Sequence, residues 1–378
     1  MNKTLLVSLV SDQTIPNVQL INELKATVDH YLFISTKGME QKGVRNWIIE
    51  ACDLQTEKLL PFVEVQQFSF DDIEKKLDMI DFDEYQKVIV NLTGGTKVMT
   101  LASFDYFKEI GADIYYLTGS DDGLIKLAPG RKKRSEKLNS KIDVVQYLKS
   151  YGFTITETTQ SLINPEYTEK LFNHFVEGVL IPFKEVLSSL RKFRKKGVKI
   201  NKIDQLDSLL TAIEFQNSIS GQLTEIETKY LTGEWFEEYV AHKLQVELEL
   251  SNNEIKTGLV ITKTNKNGDM VPNEMDVVFT WKNKIYTIEC KTSIFNEELL
   301  PDGRIKSKSI LGETLYKSDS LRQGFGLYVS TFIFVLDNID EHKVSLKNHL
   351  ERAELFNIKI IDKSYIIKTL KFRDLINI

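Results

Sequence analysis

Short apolar runs rich in β-forming residues alternate with segments of helical spacing over the first 130 residues. The predicted strands cover residues 5–10, 30–36, 62–68, 87–92 and 113–117, and the predicted helices cover residues 17–25, 44–54, 71–80 and 98–110. Parallel strands need a crossover between them, usually a helix, and strands buried on both faces have nearly continuous apolar sequences. This alternation therefore predicts a Rossmann-like parallel sheet with helices on both faces. Asp122 and Gly123 predict a hairpin turn into one more strand at residues 124–127.

The rest of the chain changes its pattern twice. Helical spacing dominates residues 141–221, which predicts a helical connector. A long amphipathic helix is then expected at residues 223–244, followed by strands at 258–263, 274–281 and 284–291, a helix at 314–322, a strand at 331–336, a helix at 342–354 and a strand at 359–361. This order predicts a mixed α/β domain, so the expected domains are residues 1–140, 141–221 and 222–378.

Two charged residues share one face of a predicted strand in the segment MDVVFTWKNKIYTIECK. Glu289 and Lys291 lie two positions apart in this strand, and Asp276 lies in the strand before it. Such groups are unusual on a buried sheet face unless they are hydrated or paired. Hydrolysis of a phosphodiester needs a divalent ion to polarise the phosphate and to activate water. We therefore expect Asp276 and Glu289 to bind Mn²⁺ or Mg²⁺, and Lys291 to orient the water or to stabilise charge on the phosphate.

Further groups could complete this site. The backbone carbonyl of Cys290 is a candidate metal ligand. Glu237, in the segment GEWFE of the long helix, is a candidate catalytic residue and a further metal ligand, with Glu234 and Glu238 as open alternatives.

Local basic segments are the expected route of contact with a nucleic acid, because the chain as a whole has a net charge of −5 and a pI of about 5.8. Residues 191–199 (RKFRKKGVK) and 131–134 (RKKR) are two candidates, although each could be only a solvated helix end or linker. Lys317 and Arg322, on the helix after the catalytic strand, are expected to contact phosphates.

The C-terminal motif resembles the restriction-endonuclease-like PD-(D/E)xK superfamily over residues 222–378. The resemblance rests on Asp276, on Glu289-Cys290-Lys291 thirteen residues later, and on the helical GEWFE upstream. The proline that usually precedes the aspartate is absent, and Met275 stands there instead. The resemblance implies a metal-dependent endonuclease.

Two loops of the N-terminal domain follow predicted strands. VSDQTIPN comes after the first strand, and NLTGGTKVM comes after the fourth. Ligands of parallel sheets bind at the carboxyl ends of the strands, and a glycine-rich turn before a helix offers N–H groups to phosphates. Neither loop has the spacing of a P-loop or of a dinucleotide-binding fingerprint.

These two motifs resemble the CRISPR-associated Rossmann fold (CARF) family, whose members sense cyclic oligoadenylates. The resemblance covers residues 1–140 and implies a homodimer with cyclic tetra-adenylate bound across its two-fold axis. The residues that it assigns to the ligand are Ser11, Gln13 and Thr14 in the first loop, and Thr93, Gly94, Gly95, Thr96 and Lys97 in the second, with Thr36 and Lys37 after the second strand.

A CARF domain followed by a PD-(D/E)xK domain resembles the cyclic-oligoadenylate-activated ancillary nucleases of type III CRISPR systems. The main alternative is a ligand-sensing regulator whose nuclease-like domain is inactive. Degradation of the activator in the CARF pocket also stays open, as does the choice among DNA, RNA, single and double strands. Two cysteines cannot build a disulfide framework, and no apolar run is long enough for a membrane span, so we expect a cytoplasmic protein without membrane contact.

Overall fold

A computed structural model describes residues 3–119, 123–130, 134–157, 164–264, 270–299, 305–369 and 371–377. Within these ranges the chain forms two large sheets that are joined by helices. No helix in the described ranges is long and apolar enough to cross a membrane.

The first sheet confirms the predicted parallel architecture. Its strands are β1 (Thr4–Leu9), β2 (His30–Ser35), β3 (Val63–Glu64), β4 (Lys87–Asn91), β5 (Asp113–Leu117), β6 (Gly123–Ala128) and β7 (Arg134–Lys137). Its helices are α1 (Ile15–Leu24), α2 (Lys37–Lys42), α3 (Val44–Ala51), α4 (Phe70–Leu77) and α5 (Lys97–Glu109). The strand order is β3-β2-β1-β4-β5-β6-β7, in which the first five strands are parallel and the last two are antiparallel. The predicted antiparallel strand is therefore present as β6, but Asp122 of its turn lies outside the described residues.

The gap between β1 and β4 is the topological switch point of this sheet. The chain goes from β1 outward to β2 and β3, and then returns to place β4 on the other side of β1. The loops after β1 and β4 must therefore diverge, and a crevice of this kind is where ligands of open α/β sheets bind. The two loops that were singled out in the sequence lie at this crevice.

The described part of the segment between the two domains contains three short strands as well as the predicted helices. Its elements are α6 (Val144–Ser150), β8 (Thr154–Glu157), α7 (Pro165–Val176), α8 (Lys184–Arg191), β9 (Val198–Lys199), α9 (Leu206–Ala212) and β10 (Gln222–Leu223). β8 pairs with the second sheet, and β9 pairs with β10. Leu171, Leu190 and Leu209 share one hydrophobic core with residues of the second sheet. The expectation of a separate helical connector was therefore incomplete, because these helices bury their apolar sides on that sheet.

The predicted long helix is divided into three parts. These are α10 (Glu225–Lys229), a π-helical turn (Tyr230–Glu234) and α11 (Trp235–Glu247). A capping box of Thr224 and Glu227 starts α10.

The second domain is mixed α/β, as predicted, and its sheet has both parallel and antiparallel pairs. The remaining elements are β11 (Ile255–Thr264), β12 (Met270–Trp281), β13 (Lys284–Lys291), β14 (Phe295–Leu299), β15 (Ile305–Ser309), α12 (Leu311–Gly324), β16 (Val329–Val335), α13 (Lys343–Leu355), β17 (Ile358–Ile361), α14 (Lys363–Lys368) and α15 (Phe372–Leu375). The strand order is β17-β16-β13-β12-β11-β8, with β13, β16 and β17 parallel and the other pairs antiparallel. β14 and β15 pair antiparallel, in a segment for which the sequence pattern predicted no strand.

One hydrophobic core joins the two sheets. Leu6 and Ile48 of the first domain and Val278 and Phe325 of the second belong to the same buried cluster. The hydroxyl of the fully buried Tyr147, on α6, lies 3.0 Å from the carbonyl oxygens of both Phe325 and Tyr328. The domains are therefore packed together through buried contacts. Both cysteines are buried and free, which agrees with the absence of a disulfide framework.

Candidate active site and ligand pocket

The predicted catalytic trio comes together on β12 and β13. The Lys291 Nζ atom lies 2.8 Å from Asp276 Oδ2 and 3.2 Å from Glu289 Oε2. Asp276 and Glu289 are only 7% and 5% exposed. Two nearly buried carboxylates with a shared lysine cost more desolvation energy than an ordinary surface ion pair, so they are a candidate functional site.

The geometry of the site arises where the backbone pairing of β12 with β13 ends. The pairing of β12 with β13 stops at Val277 and Ile288, one residue before Asp276 and Glu289 would face each other. Beyond that point the Cys290 N–H donates to Asp276 Oδ2 at 2.8 Å, where a ladder would use a backbone carbonyl. The N–H and the C=O of one strand residue point to the same neighbour, so the Cys290 carbonyl faces the same gap. This orientation suits the predicted role of that carbonyl.

The charges of the trio perturb one another strongly. Burial raises the pKa of Glu289, and the negative charge of Asp276 raises it further. Burial alone would lower the pKa of Lys291, but the two carboxylates outweigh that effect and the pKa is raised. In this conformation Lys291 pairs with both carboxylates, which suits a role in binding a phosphate or in stabilising charge on it.

The donor set fits Mn²⁺ or Mg²⁺, which take one or two carboxylates and keep several waters. Asp276 and Glu289 provide these carboxylates, and their mutual repulsion is the kind of strain that a divalent cation relieves. Among the described residues, however, no three His, Cys, Asp or Glu side chains are grouped closely enough to hold a metal. Glu237 is therefore not part of a three-carboxylate cluster in this conformation.

Glu237 lies on the first turn of α11, directly after the π-helical turn. Burial raises its pKa well above the usual range, and the charge of Asp276 adds to this effect. Glu237 is thus close enough to Asp276 for that charge to raise its pKa, and its role as a metal ligand stays a prediction. π-Turns inside helices are frequent at functional sites, where they rotate the following residues.

The two residues predicted to contact phosphates differ in their surroundings. Lys317 Nζ lies 2.8 Å from Glu289 Oε1, so this lysine belongs to the catalytic cluster itself. Arg322 instead pairs with Asp319 on its own helix, with Nη2 2.9 Å from Oδ1. The structure brings Lys317 to the site and holds Arg322 within α12. Leu321 and Ser318 of that helix line a cleft together with Asp276 and Glu289.

One of the two basic segments borders the catalytic strand. Arg191 Nη2 donates to Thr292 Oγ1 at 3.2 Å, directly after Lys291. Arg194 lies 3.7 Å from Glu234, at the start of α11. Of the other segment, residues 131–133 and the side chain of Arg134 lie outside the described part of the chain.

The predicted ligand loops meet at the switch point of the first sheet. Asn17 Nδ2 donates to the Leu9 carbonyl at 2.9 Å, and Asn91 Nδ2 donates to Asn17 Oδ1 at 2.9 Å. These buried amides tie the end of β1 to the end of β4. A Cβ atom on Gly94 would collide with the Leu9 carbonyl oxygen, so only glycine lets the second loop approach the first.

Several of the predicted ligand side chains are used inside the protein. Thr14 is fully buried and bonds Ser150, while Thr36 is buried and caps α2. The assignment of Thr14 and Thr36 as ligand contacts stays a prediction, and in this conformation both side chains are buried and bonded within the protein. The residues that remain at the crevice are Ser11, Thr93, Gly95, Thr96, Lys37 and Lys97.

The remaining hydroxyls have internal partners as well. Thr93 Oγ1 donates to Asn91 Oδ1 at 2.7 Å, and Thr96 caps α5 while donating to the Gln67 carbonyl at 2.6 Å. Lys37 and Lys97 are exposed at the first positions of α2 and α5. In this conformation, therefore, the lysines offer charge to an anion, and the hydroxyls shape the loops.

Gln13 points towards the second domain. Its Oε1 atom accepts from the Leu327 N–H at 3.0 Å and lies 3.4 Å from the Tyr151 hydroxyl. Leu327 precedes β16, which pairs with the catalytic strand β13. No pattern in the sequence predicts this contact or the roles of Asn17 and Asn91, since each depends on residues distant in the chain.

Comparisons with known proteins identify both domains. Residues 5–147 match the family model of the Card1 CARF domain, and residues 224–368 match that of the Card1-like endonuclease domain. No protein of curated function matches the sequence.

Three solved structures are similar to this chain. Can2 from Sulfobacillus thermosulfidooxidans, in complex with cyclic tetra-adenylate, is 22% identical, with a TM-score of 0.71 over 99% of this chain and 98% of Can2. VC1899 from Vibrio cholerae is 19% identical, with a TM-score of 0.71 over 96% of this chain and 94% of its own. A type III CRISPR defence DNA nuclease activated by cyclic oligoadenylate is 16% identical, with a TM-score of 0.54 over 89% of this chain and 45% of its own. At these identities the likeness shows the fold, and the two family models show the domains. The chain therefore belongs to the nucleases that join a Card1-type CARF domain to a Card1-like endonuclease domain.

Proposed function

We propose that this chain is an ancillary effector of type III CRISPR defence that hydrolyses phosphodiester bonds of DNA, RNA or both when cyclic tetra-adenylate binds its CARF domain. The observation that carries the proposal is the contact of Asp276, Glu289 and Lys291 inside a domain that matches the Card1-like endonuclease model. A domain that had lost its activity would have no reason to keep two buried carboxylates on a shared lysine.

The catalytic residues have separate roles in this proposal. Asp276, Glu289 and the Cys290 carbonyl hold Mn²⁺ or Mg²⁺, with Glu237 as a further ligand when α11 moves closer. The bound ion supplies an activated water and polarises the scissile phosphate. Lys291, which lies against both carboxylates, stabilises the charge that develops on the phosphate.

The crevice between β1 and β4 is the proposed activator site. Lys37 and Lys97 provide positive charge there, and the turn at Gly95 leads directly into the N-terminus of α5, which favours phosphate. Can2, a similar structure, is a complex with cyclic tetra-adenylate, and we transfer this ligand to the present chain. A ring of four repeated units has internal symmetry, so it suits a pocket shared by two CARF domains of a homodimer.

Gln13 provides a physical link between the two sites. It belongs to the loop after β1, and it bonds the backbone of Leu327, at the entry to β16. β16 lies beside β13 and pairs directly with Glu289 and Lys291 through Ile333 and Val335. We propose that activator binding moves this loop and so changes the position of the catalytic strand. The test is whether a change at one site alters the free energy of binding or the rate at the other.

A cytoplasmic location stays part of the proposal.

The test is cleavage by the purified chain with Mn²⁺ or Mg²⁺, with and without cyclic tetra-adenylate. Supercoiled plasmid, single-stranded DNA and single-stranded RNA are the substrates. Glu289→Gln removes a proposed metal ligand, and Glu313→Gln is the matched control because Glu313 is an exposed glutamate paired only with a surface lysine. We expect activator-dependent cleavage by the wild type and by Glu313→Gln, and a loss of at least a hundredfold in Glu289→Gln.

Other outcomes have defined meanings. Cleavage that does not depend on the activator would retain the nuclease and refute the sensor switch. Absence of cleavage on all three substrates, together with tight binding of cyclic tetra-adenylate, would favour the alternative of a ligand-sensing regulator. Size-exclusion chromatography with light scattering tests the homodimer independently.

A further inference from the structure

A strongly basic segment at residues 191–202 stands beside the catalytic strand. It begins at the last residue of α8 and contains seven lysines and arginines but no acidic residue, in a chain whose net charge is −5. Cations at a helix C-terminus are favoured by the helix dipole, but that effect is limited to the last turn. It therefore accounts for Arg191 and Lys192, and leaves the basic residues that follow them unexplained.

The segment is attached to the active site at two points. Arg191 donates to Thr292, the residue after Lys291, and Arg194 lies 3.7 Å from Glu234, before the first turn of α11. These two contacts bring the segment to the end of the catalytic strand and to the start of the helix that carries Glu237. A phosphate chain that lies on the segment can therefore continue into the cleft at Asp276 and Glu289.

Most of the positive charge is left without compensation. Exposed lysines that form no ion pair within the described part of the chain are Lys192, Lys195, Lys196, Lys199 and Lys202. Burial lowers the pKa of Arg191, and the neighbouring Arg194 lowers it further, which indicates repulsion between like charges. Uncompensated like charges at one place are costly unless they bind a polyanion.

We propose that residues 191–202 bind the phosphate backbone of the substrate strand next to the scissile bond and lead it into the catalytic cleft. This inference rests on the proposed nuclease function and extends it, because it names the surface that holds the substrate. The contacts are to phosphates, so binding is independent of base sequence and depends steeply on salt.

The test compares two triple variants with the same change in charge. Lys192→Gln/Lys195→Gln/Lys196→Gln removes three charges from the segment, and Lys75→Gln/Lys108→Gln/Lys359→Gln removes three exposed lysines from α4, α5 and β17. Fluorescence anisotropy measures the binding of a single-stranded DNA of about 20 nucleotides, long enough to cover the segment and the cleft. The buffer contains cyclic tetra-adenylate, with Ca²⁺ in place of Mn²⁺ so that binding is read separately from cleavage.

We expect the first variant to bind at least tenfold more weakly than the wild type at about 0.1 M salt, with a log–log salt slope smaller by about 2, since each phosphate contact in a single strand contributes about 0.7. The control variant should bind within about twofold of the wild type. Equal affinity of the two triple variants would overturn the inference. Wild-type protein that binds but does not cut with Mn²⁺ would refute the nuclease and retain the binding surface, whereas wild-type protein that binds neither this strand nor an RNA strand or a DNA duplex of the same length would refute both.

Discussion

Replacement of Lys317 by methionine should increase the affinity of the active site for Mn²⁺. In the present conformation Glu289 accepts from two ammonium groups, Lys291 at 3.2 Å and Lys317 at 2.8 Å. A divalent ion that binds Glu289 has to displace at least one of them. Lys317 is the more exposed of the two, with 34% of its side chain accessible against 25% for Lys291. We therefore expect the ion to displace Lys317 from Glu289 and to leave Lys291 in place.

The size of the change in Kd follows from the free energy that the Lys317–Glu289 ion pair contributes. A hydrogen bond to a charged group contributes about 1.5–3 kcal/mol, and the partial exposure of Lys317 places the pair at the lower end. Loss of about 1.5 kcal/mol of competition corresponds to about a tenfold lower Kd for Mn²⁺. Without Lys317, burial and Asp276 would raise the pKa of Glu289 further, so the experiment belongs at about pH 8, where protons do not replace the lysine.

Isothermal titration calorimetry of Mn²⁺ in the absence of nucleic acid measures this Kd directly. Lys308→Met is the matched control, because Lys308 pairs with Glu313 at the surface and does not touch the catalytic cluster. We expect its Kd to equal that of the wild type. An unchanged or higher Kd in Lys317→Met would show that Lys317 does not compete with the ion, and would refute the reasoning.

Three further predictions concern the first domain and the packing of the helices. Gln13→Ala should lower the stimulated cleavage rate about tenfold while the Kd for cyclic tetra-adenylate stays within about threefold of the wild type, because a coupling contact is worth about 1–3 kcal/mol; a proportional loss of activator affinity would instead make Gln13 a ligand contact. Gly94→Ala should weaken activator binding at least tenfold in calorimetry, since its Cβ meets the Leu9 carbonyl, whereas Gly38→Ala, which has open space, should bind normally. Glu227→Gln should reduce the free energy of unfolding in urea by about 1 kcal/mol at pH 7. Its buried carboxylate loses hydration, but bonds from the Thr224 and Ser218 N–H groups outweigh this and lower the pKa. The stabilisation is therefore present above the unfolded pKa of about 4.3 and lost as pH falls through the lower folded pKa, so the two proteins should converge once the pH is below that folded pKa. A difference that persists at low pH would contradict this assignment.

Local patterns predicted the elements that carry the two sites. β13 was expected at residues 284–291, which is its observed range, because an apolar alternation ends there in Glu289 and Lys291. β5 and the neighbourhood of Asp276 followed for the same reason, since a period of two places side chains on faces without any knowledge of the partner strand. The glycine-rich turn before α5 was also visible, because glycine and a threonine cap have local causes.

The failures concern contacts between distant parts of the chain. Thr14 lies in a predicted ligand loop, and the sequence pattern does not show that its hydroxyl donates to Ser150 of α6, 136 residues away. β8 was missed because four residues with little alternation acquire their strand conformation only by pairing with β11. The π-turn before α11 was read as continuous helix, since its apolar spacing is close to that of an α-helix. In each case the missing information was the identity of the neighbour, which the spacing of residues does not contain.

One part of the catalytic cluster follows from the local sequence pattern, and the other part depends on contacts between distant residues. The sequence places Glu289 and Lys291 on one face, but the partner Lys317 arrives from α12, and Arg191 arrives from α8, about 100 residues earlier. The elements that surround the trio therefore come from several parts of the chain: α8 of the helical segment, α11 of the predicted long helix, and β16, which follows the Leu327 contact with Gln13. A site assembled in this way is sensitive to small shifts between its elements, because Lys317 of α12 lies only 2.8 Å from the buried Glu289 of β13. This arrangement explains how a ligand in a different domain could control hydrolysis without touching the active site: it needs only to change the fit among elements that already share one core.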